Sequence, residues 1–110
     1  MKIIEKNEGK KIDYTITENK ITFADELMLN LKKYERDDPN HIDVCLDRFG
    51  NLVSGVIPGV AEVYVAQIDI PAREYDFIAD GVDENGEPKE VPMPLPFDME
   101  KCTLTLWALK

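Results

Sequence analysis

Hydrophobic and polar residues alternate with period 2 through most of this chain, the pattern of half-buried strands. It is strongest over residues 62–70. Tyr64, Ala66, Ile68 and Ile70 make one apolar face, while the other begins apolar at Val63 and Val65 and turns polar at Gln67 and Asp69. A strand that is apolar on both faces at one end and on one face at the other belongs in the middle of a sheet. Pro58 and Gly59 open it, and Pro71 closes it because proline cannot donate to a ladder. The run 102–109 is the second strong strand, with Cys102, Leu104, Leu106 and Ala108 on one face and Thr103, Thr105, Trp107 and Leu109 on the other.

The same pattern predicts the remaining elements. Lys2, Ile3, Ile4 and Glu5 suggest a short edge strand or a frayed arm. Ile12, Tyr14 and Ile16 alternate with polar residues, Glu18 and Asn19 supply a tight turn, and Ile21 and Phe23 continue the alternation beyond it. Over residues 24–34 two readings stay open. The residues are good helix formers, and a helix would align Leu27 with Leu31 and Tyr34; a strand would align Leu27, Leu29 and Leu31. The strict leucine alternation and the neighbouring strands favour the strand. Ile42, Val44 and Leu46 alternate with Asp43, Cys45 and Asp47, and Gly50 supplies the positive φ of the next turn. Residues 42–70 therefore predict a three-strand meander. A weaker strand over 73–79 carries Tyr75, Phe77 and Ile78, and a polar stretch over 80–90 holds Asn85-Gly86, a strong hairpin signal. Pro92, Pro94 and Pro96 exclude a central strand and predict an extended edge segment, so residues 80–96 read as an insertion. The sum is an all-β single domain over 1–110, an antiparallel β-sandwich or small barrel of eight or nine strands.

Composition narrows the partners. The formal charge of −9, from 13 basic and 22 acidic residues, disfavours nucleic acid and anionic membranes. Its simplest effect is solubility. Two cysteines, Cys45 and Cys102, make no disulfide framework, and each falls inside a strand-like run where a free thiol packs as a small hydrophobe. A pairing between them stays open, although nothing indicates an oxidising compartment. Residues 1–11 lack the apolar stretch of a signal peptide, and no 18-residue apolar run is present. The expected location is the cytoplasm of the producing cell, or a particle assembled there.

Candidate chemistry is sparse. Asp80, Asp83, Glu84, Asn85 and Glu87 offer hard oxygen ligands. With Gly86 at the sharp turn of a calcium loop, Gly81 and Pro92 fall at the first and last ligand positions, where neither supplies a side-chain oxygen, so no metal is expected. His41, Asp43 and Asp47 form the one His/carboxylate cluster, but Asp43 and Asp47 lie about 13 Å apart along a strand. Ser54 is the only serine and His41 the only histidine, and Ser54 lacks the glycines of a nucleophile elbow. No catalytic residue and no cofactor site is predicted, and the six glycines are scattered at turns rather than gathered in a phosphate loop.

Apolar residues outside the expected core point elsewhere. Tyr14, Met28, Trp107 and Leu109 fall on the less apolar faces or in mixed surroundings, and exposed they would mark an interface. The proline-interrupted segment 91–97 is stiff, apolar and suited to packing on a neighbour. Val91, Met93, Leu95, Phe97, Trp107 and Leu109 are the candidate interface residues.

Four stretches also carry a likeness: Ile21-Thr22-Phe23-Ala24-Asp25-Glu26-Leu27, Gly55-Val56-Ile57-Pro58-Gly59-Val60-Ala61, Tyr64-Val65-Ala66-Gln67-Ile68-Asp69-Ile70-Pro71-Ala72-Arg73-Glu74-Tyr75 and Pro96-Phe97-Asp98-Met99. They resemble a family of small proteins encoded in prophage structural-gene regions of gut Firmicutes. The resemblance covers most of the chain outside residues 80–94 and contains no catalytic motif, so it carries no site residues. It implies a virion-associated or tail-region structural part. The expectation is a non-enzymatic module that works by protein contact, with itself as a homo-oligomer or with other virion components. Two rivals remain. A carbohydrate- or ligand-binding domain predicts Tyr64 or Trp107 facing solvent in a groove. A small hydrolase predicts His41 within hydrogen-bond reach of Ser54 or a cysteine.

Overall fold

Residues 61–70, the most apolar run, lie where their pattern puts them, in the middle of the largest sheet. A computed structural model describes residues 1–109, leaving aside the side chain of Glu62. Its ten strands, among the described residues, are β1 (Lys2–Glu5), β2 (Tyr14–Thr17), β3 (Lys20–Phe23), β4 (Leu27–Asn30), β5 (Asn40–Asp47), β6 (Leu52–Ser54), β7 (Ala61–Ile70), β8 (Tyr75–Val82), β9 (Pro88–Pro94) and β10 (Thr103–Leu106). They form three sheets, ordered β1-β10-β7-β5-β6, β2-β3-β4 and β8-β9. The fold is all-β, and the sheets do not close into a barrel.

Three expectations about topology change. The strands number ten rather than eight or nine, and β1 runs parallel to β10, so the fold is not purely antiparallel. Residues 42–70 are not a meander. β5 pairs with β6 on one side and β7 on the other, so the chain crosses back past β5 after β6. The physical reason is burial: β5 is long and largely buried and accepts a neighbour on each edge, while three-residue β6 is left outside. Most of residues 80–96 belong to a hairpin, in which β9 pairs with β8.

Residues 24–34 divide between the two readings. Leu27–Asn30 is a strand and Leu31–Tyr34 a single 3-10 turn. Leu29 and Leu31 are buried, and Met28 faces water at 53 % exposure. A positive-φ pair, Ala24 and Asp25, reverses the chain before β4 and leaves no room for a helix to start there.

The core joins the two larger sheets. Ile21, Phe23, Leu29 and Leu31 from the β2-β3-β4 side meet Ile42, Val44, Val65, Ile68, Leu104 and Leu106 in one buried cluster. A register shift between Val44 and Cys45 places Val44 opposite Ala66 and Cys45 opposite Tyr64, leaving Val65 as the extra residue. This bulge turns both Val65 and Ala66 into the core. Tyr64 therefore moves to the outer face instead of sharing the face of Ala66, Ile68 and Ile70. Cys45 and Cys102 are buried free thiols. Burial pushes the Cys102 thiol up to about 11, so it stays protonated and inert at neutral pH.

Candidate functional site

The feature that stands out is the β8-β9 ribbon. Every β8 residue is exposed, and in β9 only Val91 is partly covered. Apolar side chains nevertheless run along it, with Phe77 61 % and Val82 66 % exposed and Ile78 and Met93 nearly half exposed. Asn85-Gly86 closes the ribbon as the sequence predicts. Gly86 adopts φ +78°, and the Asp83 carboxylate accepts from the Asn85 and Glu87 amides at 2.8 and 2.9 Å. The acidic tip is a turn cap. Among the described residues no group of three or more His, Cys, Asp or Glu side chains is placed to hold a metal ion.

The prolines of β9 have a direction. Leu95 N–H donates to the Glu74 carbonyl at 2.8 Å, which fixes residues 91, 93 and 95 as those that bond β8. Pro88, Pro92 and Pro94 fall on the alternate positions, whose amides would point away from β8. Proline costs no ladder bond there. The register also sets Pro94 opposite Tyr75 and Pro92 opposite Phe77, on one face of the ribbon. Asp76, Ile78, Val91 and Met93 share the other.

The root of the ribbon is pinned to the body. Arg73 N–H donates to the Arg36 carbonyl at 2.7 Å, and the Arg73 guanidinium donates to Glu35 at 3.4 Å and Asp37 at 3.2 Å. The Tyr75 hydroxyl bonds the same Asp37 carboxylate. Lys101 reaches Glu74 at 2.7 Å. Beyond Tyr75, no described side chain of the body bonds the arm.

The six candidate interface residues separate accordingly. Met93 and Leu95 are exposed on the arm, and Val91 is half-buried there. Phe97 and Leu109 are half-buried and pack against the core. β10 ends at Leu106, so the alternation expected to carry Leu109 outward stops. The Leu109 amide is held by the Lys10 carbonyl at 2.7 Å. Trp107 is half-buried: its indole N–H donates to Gln67 at 2.9 Å, its ring stacks on Tyr64 with centroids 5.7 Å apart, and the Lys6 ammonium lies 5.8 Å from its ring centre. Tyr14 packs on the core, and of that group Met28 alone is well exposed. Sequence reasoning missed the β8 half of the arm. Its signal was the run Tyr75, Phe77 and Ile78 leading into Asn85-Gly86.

The outer face of the large sheet holds the other cluster. His41 Nδ1 lies 2.6 Å from Asp69 and Nε2 2.7 Å from Asp43, and Gln67 donates to Asp43 at 2.9 Å. The Asp69 hydrogen bond, reinforced by Asp43 and opposed by partial desolvation, raises the His41 pKa. A carboxylate on each ring nitrogen favours the protonated imidazole and makes His41 a bridge between β5 and β7. His41 and Ser54 line one open hollow of about 420 Å³, but no hydrogen bond joins them. Cys45 is buried on this face, and desolvation raises its thiol pKa. The nucleophile–base pair that a hydrolase predicts is not assembled. Trp107 is half-buried and already stacks on Tyr64, with its indole N–H taken by Gln67.

Comparison of the chain with protein-family models, with curated proteins and with solved structures finds no match. No helix among the described residues is long and apolar enough to cross a membrane.

Proposed function

We propose that this chain is a non-enzymatic interaction module, a structural part of a prophage-encoded assembly, that engages its neighbour through the β8-β9 arm. One observation carries the reading: a two-stranded ribbon projects into water along its whole length while exposing Phe77, Ile78, Val82 and Met93. Isolated two-stranded ribbons are marginal in water, and a third strand or a packed face gives them stability. Apolar groups held out on such a ribbon are suited to burial by a partner. The body serves as the scaffold, which we read as an open sandwich of the five- and three-stranded sheets sharing one core. The prophage context rests on the sequence resemblance, and it sets the place of action in the producing cell's cytoplasm or in a phage particle.

Charge bears on which partner. Residues 75–94 hold six carboxylates (Asp76, Asp80, Asp83, Glu84, Glu87, Glu90) against Lys89 alone, a net −5 of the chain's −9. A second copy would bring the same negative arm, so a different and basic protein is favoured over self-association.

The test is co-expression with each protein encoded beside the chain, followed by light scattering on a sizing column. A stoichiometric complex is expected, and it should disappear when residues 76–93 are replaced by a short turn. A chain that stays at 12.5 kDa with every candidate, or a complex that survives loss of the arm, removes the proposal.

A further inference from the structure

We propose that the partner adds to the arm as a third strand along the free edge of β8, and that the segment it contributes is extended, basic and free of proline. This rests on the arm being the contact.

The two edges of the ribbon are unequal. On β9 the outward positions are Pro88, Glu90, Pro92 and Pro94, so Glu90 alone keeps an outward N–H. An incoming strand finds almost no donors there. On β8 the outward positions opposite them are Tyr75, Phe77 and Ala79, each with an amide and a carbonyl. The chain already uses this edge at its root, where Arg73 N–H, two residues before Tyr75 and on the same edge, bonds the Arg36 carbonyl. A partner strand continues a pairing that the body begins.

Basicity follows from what guards the edge. The Asp76 carboxylate accepts from the Phe77 amide at 3.0 Å and so occupies an outward donor. A lysine or arginine on the incoming strand draws that carboxylate away and frees the amide, whereas an acidic strand meets Asp76, Asp80 and the net −5 of the arm. The third strand also sets its side chains beside exposed Phe77, where apolar residues alternating with the basic ones would cover it.

The probe is a soluble decapeptide of alternating lysine and valine, with a glutamate–valine counterpart, titrated onto the full chain and read by amide hydrogen exchange. Binding of the basic peptide alone is expected, with new protection at Phe77 and Ala79. Ala79→Pro removes one outward donor without touching the β8-β9 ladder and should weaken binding about tenfold. Glu90→Pro, its counterpart on β9, should change binding by less than about twofold. Protection in the unmutated chain is a reading that needs no variant to fold. Absence of binding, protection confined to the body, or loss on Glu90→Pro rather than Ala79→Pro overturns the inference. If replacing residues 76–93 abolishes binding while both proline variants keep it, the arm stands as the contact and strand addition falls. If binding survives that replacement, the arm itself is not where the peptide goes, and both proposals fail for this probe.

Discussion

At the scale of single residues, His41 is the group whose chemistry the fold changes most. It bridges Asp69 on β7 and Asp43 on β5, with Gln67 beside it, and its pKa rises above the ordinary 6.5. The folded state therefore binds the proton more tightly than the unfolded chain. The stabilisation is complete below the unfolded value and is lost as pH rises through the folded one. His41 is 45 % exposed, so solvent screens the pair and the effect is small. The expected outcome is a His41 titration midpoint above 6.5 by NMR, together with a stability advantage over His41→Gln that is largest below pH 6.5 and fades as pH rises through that folded-state midpoint. A midpoint at or below 6.5 would show that the two carboxylates do not hold the imidazolium. The same residue shows the reach of sequence reading. Its neighbour Asp43 was visible two positions away, but Asp69 was not, because only the β5-β7 register brings residues 28 apart into contact.

At the scale of elements, the arm should behave as a unit of lower stability than the body. Its side chains are exposed and its bonds to the body are confined to the root, whereas β7 is sandwiched between β5 and β10. Native-state exchange should find the Ile78 and Val91 amides opening well before that of Ile68. Replacing residues 76–93 by a short turn should leave the body's cooperative melting within a few degrees of the parent, roughly the effect of under 1 kcal/mol in a domain of this size. Equal protection in arm and body would contradict this. Strand periods and turn residues made much of this level legible: β2 to β3, β5, β7 and the Asn85-Gly86 tip all lie where alternation and turn chemistry put them. What stayed hidden was relational. Nothing in Lys2–Glu5 says that it will lie parallel to β10, and nothing in Leu52–Ser54 says that it will sit outside β5 rather than beside β7. The bulge at Val65 was equally silent, since Val63, Tyr64 and Val65 are apolar whichever way they face. The candidate site was half legible for the same reason. Alternating prolines announce an edge, but Phe77 and Ile78 look like any strand until a structure shows that nothing covers them.

At the scale of the whole molecule, the shape follows from one element. A compact chain of this length has a radius of gyration of about 13 Å. This one measures 18.7 Å and spans 64 × 26 × 22 Å. An eight-residue strand reaches about 25 Å, so the ribbon accounts for most of the excess length. Charge keeps it out. The arm carries −5 and the rest of the chain −4, so folding the ribbon back would press like charges together. Small-angle scattering of the free chain should return a radius near 18.7 Å. It should fall towards about 13–14 Å once residues 76–93 are replaced by a turn. Lowering the ionic strength should keep the parent at least as extended, because the Debye length grows from about 10 Å at 0.1 M salt to about 30 Å at 0.01 M. A parent radius already near the compact value would mean that the ribbon lies on the body and covers Phe77 and Val82 itself. The apolar surface that argues for a partner would then be spoken for within the chain, and the proposed contact would lose its basis.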